Sequence, residues 1–591
     1  MNNTTAVYSG KLENPSANNN RGQKVWRLSL SAPQLIVLIV LWVCLVDNVA
    51  LWSELYSRLS PIGASAIGYG LSLLALMVML LVIPMLLLGQ RYVLKPILVL
   101  LLIVSAMLAY FTRKLGVVYD MEMIRNITET VKDGNTQEGM ELLSFSMVLF
   151  LIPTALVPAM FVLFTKVDYG SFWRDSTGRI GWAAAVVVVA VVMVMFNFKY
   201  ITYFSRENAD LEVYLTPFFP IKTTSQLIQR KQEASKFVFT ELGDDALKPV
   251  TSAARKVGIM VVGETARRGN FSLNGYPRET NPELSQRNII NFDNVTSCGT
   301  STAFSVPCMF SFLGQSEYTP EKAAQQSNVL DVLEKAGVKT VWVDSNSSCK
   351  GVCNRIENTN LLKNADVSNP LFVDGAWHDE VLLENVDQYL DSTQGDVLLV
   401  LHTMGSHGPA YYRRYPESFA RFTPFCQSKA PQDCSSEEIV NAYDNTILYT
   451  DYILASLIDR LDARNDSSFL LYASDHGESL GENGIYLHGL PRFIAPAVQQ
   501  EVPMLAWLSP ELMRERNWSI LPNGVTQVQL PLTHDNISTS LLGLYEISSS
   551  LYKPELNLFN DDFMGQDMNK VASDNWSDSE RAQSYSPVVS Q

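Results

Sequence analysis

Four segments of this chain carry residues able to bind a metal or a phosphate, and each follows a short apolar run. Gly263-Glu264-Thr265 follows Val257–Val262, and Asp344-Ser345-Asn346 follows Val338–Val343. His402 and then Gly405-Ser406-His407-Gly408 follow Val397–Leu401, and Ser474-Asp475-His476-Gly477-Glu478 follows Phe469–Ala473. Carboxylate oxygens and imidazole nitrogens suit zinc, which takes four ligands and at a catalytic site keeps one position for a reacting group. Glu264, Asp475 and His476 are therefore candidate metal ligands. An Asp-His pair alone is equally what a salt-bridged turn presents. The glycine after His476 and the carboxylate at a second strand end weigh toward metal.

Such a site needs a nucleophile. Residues 298–308, Cys-Gly-Thr-Ser-Thr-Ala-Phe-Ser-Val-Pro-Cys, read as a loop entering a helix between two cysteines. A hydroxyl at a helix N-terminus faces unsatisfied N–H groups that favour anions, and a metal beside it lowers its pKa. Thr300, Ser301 and Thr302 compete for that role, and plain helix caps are the competing explanation. Of the six histidines, His407 and His488 stand beside glycine-rich motifs. They are candidates for a second metal, for the phosphate or for proton transfer. His402 lies closer to a buried strand and reads as a residue behind the ligands. His378 and His534, beside acidic residues at helix starts, read as structural. Lys350 lies between Cys349 and Cys353, where a pinned cation could hold a phosphate.

The elements that must position these residues follow from periodicity. Runs apolar on both faces are buried parallel strands, and Val329–Lys335 and Ile439–Leu461 have helical spacing between them. The expected domain over 251–560 is α/β with a mainly parallel sheet, whose ligands gather at the carboxyl ends of the strands. Segment 203–250 reads as a helical bridge on the membrane surface. The tail, 561–591, is rich in Ser, Asp and Asn and reads as disordered.

The first third of the chain is of another kind. Residues 1–32 are polar and lack the features of a cleaved signal. Five apolar stretches, near 34–52, 66–89, 95–112, 143–165 and 181–201, are long enough to cross a bilayer, which needs roughly 20 residues. The transmembrane part is thus 33–202. Basic residues lie before the first stretch (Arg21, Lys24, Arg27), between the second and third (Arg91, Lys95), and between the fourth and fifth (Lys166, Arg174, Arg179). They put those loops in the cytoplasm and everything after 202 outside. Cysteine usage agrees: of seven, six form close pairs in the outer part, Cys298/Cys308, Cys349/Cys353 and Cys426/Cys434, and Cys44 lies alone in the first stretch. Nearest-neighbour disulfides are the simplest pairing in an oxidising compartment. A net charge of −15 disfavours a nucleic-acid surface.

Five stretches carry a resemblance to a known family: VGETARRGNFSLNGYPRETNP, SCGTSTAFSVPCMFS, HTMGSHGPAYYRRYP, YDNTILYTDYIL and YASDHGESLGENGIYLHGLP. In this order they resemble the phosphoethanolamine transferases that modify lipopolysaccharide in Gram-negative bacteria. These include the chromosomal lipid A enzymes and the mobile colistin-resistance enzymes. The resemblance implies five spans in the inner membrane and a periplasmic domain of the alkaline-phosphatase/sulfatase type. It implies Thr302 as nucleophile and Glu264, Thr302, Asp475 and His476 around a zinc ion. His407 and His488 would serve the donor phosphate or a second zinc, and Ser347 and Lys350 would line the substrate pocket. Asn126, Thr130 and, across an apparent insertion, Glu138 would face the lipid headgroup. The implied donor is phosphatidylethanolamine, the acceptor is lipid A or a core sugar such as Kdo or heptose, and the protein is a monomer. The implied outcome is weaker binding of cationic peptides such as polymyxin.

Three rivals differ on specific residues. Sulfatases use C/S-x-P-x-R, whereas the third and fifth positions counted from Thr302 are Phe304 and Val306. A glycerophosphate transferase of the teichoic-acid-synthase type shares the spans and a threonine, but not the three cysteine pairs. A membrane sensor without catalysis predicts an eroded site, whereas all four candidate ligands are present.

Overall fold

A computed structural model describes residues 29–59, 65–132, 143–249, 255–363, 365–518 and 523–559. Most of the polar N-terminal segment, Glu138 and the tail expected over 561–591 lie outside the described residues.

Four helices are long and apolar enough to span a bilayer: Ile67–Leu88, Leu94–Leu115, Phe145–Phe164 and Trp173–Phe198. The first expected span differs from a straight crossing. Its helix, Ala32–Val46, stops at Asp47 and resumes as Val49–Leu59 after a bend of 57°. The cause lies in Asn48. Its amide donates to the carbonyls of Val43 (3.0 Å) and Thr216 (2.7 Å), and its oxygen accepts the Thr216 N–H (2.9 Å). A buried side chain that bonds backbone in this way competes with the helical ladder and turns the chain. The bend ties the first span to Phe218–Ala234, the helix after the last span.

The remainder is built on a nine-stranded sheet. Its strands are β1 (Lys256–Gly263), β2 (Ile289–Thr296), β3 (Lys339–Asp344), β4 (Glu357–Asn360), β5 (Val397–His402), β6 (Ser467–Ser474), β7 (Glu501–Leu508), β8 (Val525–Val528) and β9 (Leu532–Thr533). The order is β8-β2-β7-β6-β1-β5-β3-β4, with β9 also beside β2. The four strands expected from sequence, β1, β3, β5 and β6, are parallel neighbours in the centre. β7 runs antiparallel between β6 and β2. Helices cover both faces. Val257, Ile259 and Val261 pack toward the long helix Ser436–Asp462, while Met260 and Val262 pack on the other face toward Val329–Lys335. Burial on both faces is why these strands read as unbroken apolar runs. The three cysteine pairs are disulfides, and Cys44 is buried and unpaired.

The two halves meet through apolar contacts. Leu115, Val117 and Tyr119, after the third span, pack on Leu487. Val118, Val213 and Phe219 pack on Leu490. His488 thus rides on a segment pressed against the membrane part.

Candidate metal and nucleophile site

The carboxyl ends of β1 and β6 are adjacent, with Ser474 paired to Gly263. Glu264 and Asp475, the residues that follow, therefore start side by side. Glu264, Asp475 and His476 each offer one ligand atom, all within 4.8 Å of one another, and all three are buried. Thr302 is the first residue of the helix Thr302–Met309, with Ser301 as its cap. The Thr302 Oγ1 stands 3.2 Å from both Glu264 oxygens and 3.3 Å from His476 Nε2. The three competing hydroxyls separate here. That of Thr300 donates to the Leu490 carbonyl at 2.6 Å, and that of Ser301 is buried without a hydrogen bond. Of these three, only the Thr302 hydroxyl faces the cluster, where the Thr265 hydroxyl also donates to Glu264 Oε1 at 3.0 Å.

The surroundings fix each ligand. His476 Nδ1 donates to the Gly477 carbonyl (2.9 Å), which leaves the Nε2 lone pair directed at the cluster. Asp475 Oδ1 accepts the N–H groups of Thr265 (3.1 Å) and His476 (2.7 Å), whereas its Oδ2 has no hydrogen-bond donor. Asn346 donates to Glu264 Oε2 at 2.8 Å. Gly405, at φ +50°, lies where a Cβ would stand 2.6 Å from the Glu264 carbonyl oxygen, so only glycine lets the His407 loop pass this close. Burial lifts the Asp475 carboxyl to about 6 and, with His488 nearby, lowers the His476 imidazole to about 4. Two buried carboxylates, an imidazole lone pair, a hydroxyl and an oxygen without a donor fit a divalent cation of the zinc type.

Around this cluster lie the other expected residues. The His488 ring is 4.4 Å from that of His476 and 5.4 Å from that of His407. Its Nδ1 is 3.4 Å from Glu478 Oε2, and burial pushes the Glu478 carboxyl up to about 8. His402 stands 3.2 Å from Asp344 and 4.0 Å from Glu264, behind the ligands. Burial lowers its basicity, but the two carboxylates outweigh that and hold it above its ordinary value. Lys350, at φ +49° between the bonded Cys349 and Cys353, donates to Ser347 Oγ at 2.7 Å. The helix Met121–Lys132 reaches this rim: Glu129 and Lys132 line a cavity of about 260 Å³ with Lys350. Asn126 is half-buried one turn before Glu129, and Thr130 lies on the same helix. His534 is structural: it accepts the Cys298 N–H at 3.1 Å and donates to the Ser474 carbonyl at 3.0 Å. His378 packs on Tyr449.

Two supporting carboxylates escaped the sequence reading. Glu478 lay within a recognised motif but had no assigned role. Asp379 accepts from the N–H groups of Met404 and Gly405 and from Ser345, each at 2.8 Å, and so shapes the His407 loop. It lies two residues after the short strand Ala376–Trp377, outside the main sheet, and nothing in its local sequence marks it.

Comparison with known proteins follows the same division of the chain. The family model described as phosphoethanolamine transferase EptA/EptB matches residues 76–232, and the sulfatase model matches 256–547. Phosphatidylethanolamine transferase Mcr-1 of Escherichia coli is 37% identical over 545 residues, 90% of this chain and 98% of that protein. Kdo(2)-lipid A phosphoethanolamine 7''-transferase of Salmonella typhimurium is 27% identical over 491 residues, 77% of this chain and 82% of that protein. The structure of the integral membrane lipooligosaccharide phosphoethanolamine transferase A (EptA) of Neisseria meningitidis superposes with a TM-score of 0.82 at 32% identity, covering 90% of this chain and 98% of that one. A likeness that runs nearly the whole length of both chains, membrane helices included, means that this chain belongs to the lipopolysaccharide (lipid A) phosphoethanolamine transferase family.

Proposed function

We propose that the protein moves phosphoethanolamine from phosphatidylethanolamine to a phosphate of lipid A, through a covalent phosphoethanolamine-Thr302 intermediate at a zinc site. The observation that carries this reading is the approach of the Thr302 hydroxyl to Glu264 and His476, within 3.3 Å of each. Glu264, Asp475, His476 and Thr302 would hold the metal. Bound there, zinc supplies Lewis acidity, favouring the ionised hydroxyl and offsetting negative charge on the phosphoryl group.

In the first half-reaction the Thr302 hydroxyl gives up its proton to His407 or His488, its Oγ forms a bond to phosphorus, the bond from phosphorus to the glycerol oxygen breaks, and diacylglycerol leaves with a proton. His407 or His488 supplies that proton, and the Lys350 ammonium steadies the phosphoryl oxygens. In the second, an acceptor phosphate oxygen gives up its proton and attacks the same phosphorus, the bond from phosphorus to Thr302 Oγ breaks, and Thr302 Oγ takes up that proton. Asn126, Thr130, Ser347 and Glu138 would contact the donor headgroup. Both substrates are lipids, so spans over 33–202, a bridge over 203–250 and a catalytic domain over 251–560 keep the site at the periplasmic surface of the inner membrane. Adding an ammonium group lowers the surface's negative charge and weakens its hold on polymyxin-like peptides. The lower identity to the Kdo(2)-lipid A phosphoethanolamine 7''-transferase, 27%, than to Mcr-1, 37%, weighs against the acceptor that the former's name gives.

Mass spectrometry of lipid A from cells with the wild-type chain, the Thr302→Ala chain and no chain tests this. A phosphoethanolamine increment on lipid A only with the wild-type chain is expected. An increment that survives Thr302→Ala, or none with either chain, would overturn the proposal.

A further inference from the structure

The membrane part carries a cavity at the end away from the catalytic domain. The helix Leu94–Leu115 starts beside it and ends at the contact with Leu487. Its 22 residues give a length of about 33 Å, close to the thickness of a bilayer core. The cavity has a volume of about 440 Å³ and lies between the loop after the second span and the loop after the fourth.

Basic loops at one membrane face are ordinary, because they set orientation. Here cations from two separate loops converge on one hollow. Arg91 and Lys95 come from one side and Lys166 from the other. The Arg91 guanidinium lies 5.9 Å from the centre of the Tyr92 ring and 6.0 Å from that of Tyr169, whose hydroxyl donates to the Arg91 carbonyl at 3.3 Å. Among the described residues, no carboxylate pairs with Arg91 or Lys95. Lys95 Nζ donates to the Leu163 carbonyl at 2.8 Å, which anchors it at the end of Phe145–Phe164. Among the described residues, Lys166 pairs only with Asp168, at 3.7 Å, and both side chains are largely exposed. Among these described residues, the balance at the hollow is three positive charges against one negative. Beside it, Phe164 (68% exposed) and Tyr92 (85%) face outward.

We infer that this hollow is a binding site for an anionic phospholipid of the leaflet opposite the catalytic domain. The lipid phosphate is held between Arg91, Lys95 and Lys166, and an acyl chain lies along Phe164. A net positive cavity between spans selects an anionic headgroup over a zwitterionic one, because only the former leaves net charge to neutralise. The tyrosines fix the guanidinium plane and sit at headgroup depth, where such rings are favoured. The site is remote from Thr302 and takes no part in the transfer, so its test is independent of the proposed reaction.

The experiment uses the full-length chain in a neutral detergent. Native mass spectrometry measures retention of dioleoylphosphatidylglycerol against dioleoylphosphatidylcholine. It is run for the wild type, for Arg91→Gln/Lys95→Gln/Lys166→Gln, for Lys166→Gln alone, and for the distant control Arg421→Gln. Selective retention of phosphatidylglycerol by the wild type and the control is expected. The triple variant should bind at least about tenfold more weakly, and Lys166→Gln about threefold to fivefold. The single variant keeps the test decisive if the triple variant misfolds, because among the described residues the exposed Lys166 side chain pairs only with Asp168. Equal retention of the two lipids, or unchanged retention in Lys166→Gln, would overturn the inference. So would displacement of phosphatidylglycerol by millimolar inorganic phosphate, which would mark a site for a free anion.

Discussion

Replacing Gly477 with alanine would put a methyl group where a peptide carbonyl already stands. A Cβ at that position falls 2.0 Å from the Val498 oxygen, 3.0 Å from its carbonyl carbon and 3.3 Å from Gln499 Cα. These neighbours are backbone. They are held by hydrogen bonds from Gly477 N–H to the Gln499 oxygen and from Glu478 N–H to the Val498 oxygen, each 3.0 Å, so no side-chain rotation relieves the clash. Reaching even the closest tolerated contact requires a shift of about 1 Å. The shift falls on His476, because its Nδ1 bonds the Gly477 carbonyl and that bond aims Nε2 at Glu264 and Thr302. A displacement of that size in a catalytic group costs on the order of 100-fold in rate, and overpacking costs about 1–3 kcal/mol in stability. Turnover of labelled phosphatidylethanolamine and bound zinc per chain should both collapse in Gly477→Ala, with the thermal midpoint a few degrees lower. Gly269→Ala, with no atom within 4 Å of its Cβ, is the control and should match the wild type. Wild-type turnover and zinc content in Gly477→Ala would refute the claim that this backbone contact aims His476.

Three further outcomes are expected. Cys298→Ser/Cys308→Ser opens the loop of separation 10 that carries Thr302 and should lower stability by about 3 kcal/mol, read as a lower thermal midpoint and weaker turnover near it. Burial lifts the Asp451 carboxyl from its ordinary 3.8 to about 7. The folded chain therefore holds that proton more tightly than the unfolded chain, which favours folding most at acidic pH, and the advantage fades as pH rises to about 7. The thermal midpoint of the wild type should therefore fall between pH 4 and 7 and that of Asp451→Asn should fall less, and an unchanged slope would count against the assignment. Chelation should abolish turnover, with zinc restoring it and magnesium or calcium failing to, because those hard cations favour all-oxygen sites over an imidazole; activity in protein shown to be metal-free would contradict this.

The sequence made the central strands legible because β1, β3, β5 and β6 are apolar on both faces, a pattern that depends on burial alone. β2 and β7 were not legible. Asn291 and Asp293 interrupt the first, and Pro503 the second. The proline is tolerated because the register of β7 against β2 shifts between Val502 and Met504, so its missing N–H falls at the irregularity. The break at Asp47-Asn48 was hidden for a different reason: hydropathy counts apolar residues, whereas the bend depends on a bond to Thr216, 168 residues away. At the site, strand ends and residue types were enough to nominate Glu264, Asp475 and His476. Residue types alone do not choose among Thr300, Ser301 and Thr302; the family resemblance points to Thr302, and the structure separates the three by where each hydroxyl lies at the entry to the helix Thr302–Met309. Asp379 and Asn346 act through hydrogen bonds to residues remote in sequence, and no local pattern announces such partners.

The central claim concerns one oxygen. Incubating the full-length protein with phosphatidylethanolamine and no acceptor, then digesting it and sequencing the peptides by tandem mass spectrometry, reports which side chain carries the transferred group. A phosphoethanolamine increment on Thr302 that disappears on adding lipid A is expected. An increment on Thr300 or Ser301, or diacylglycerol release with no adduct on this loop, would contradict it.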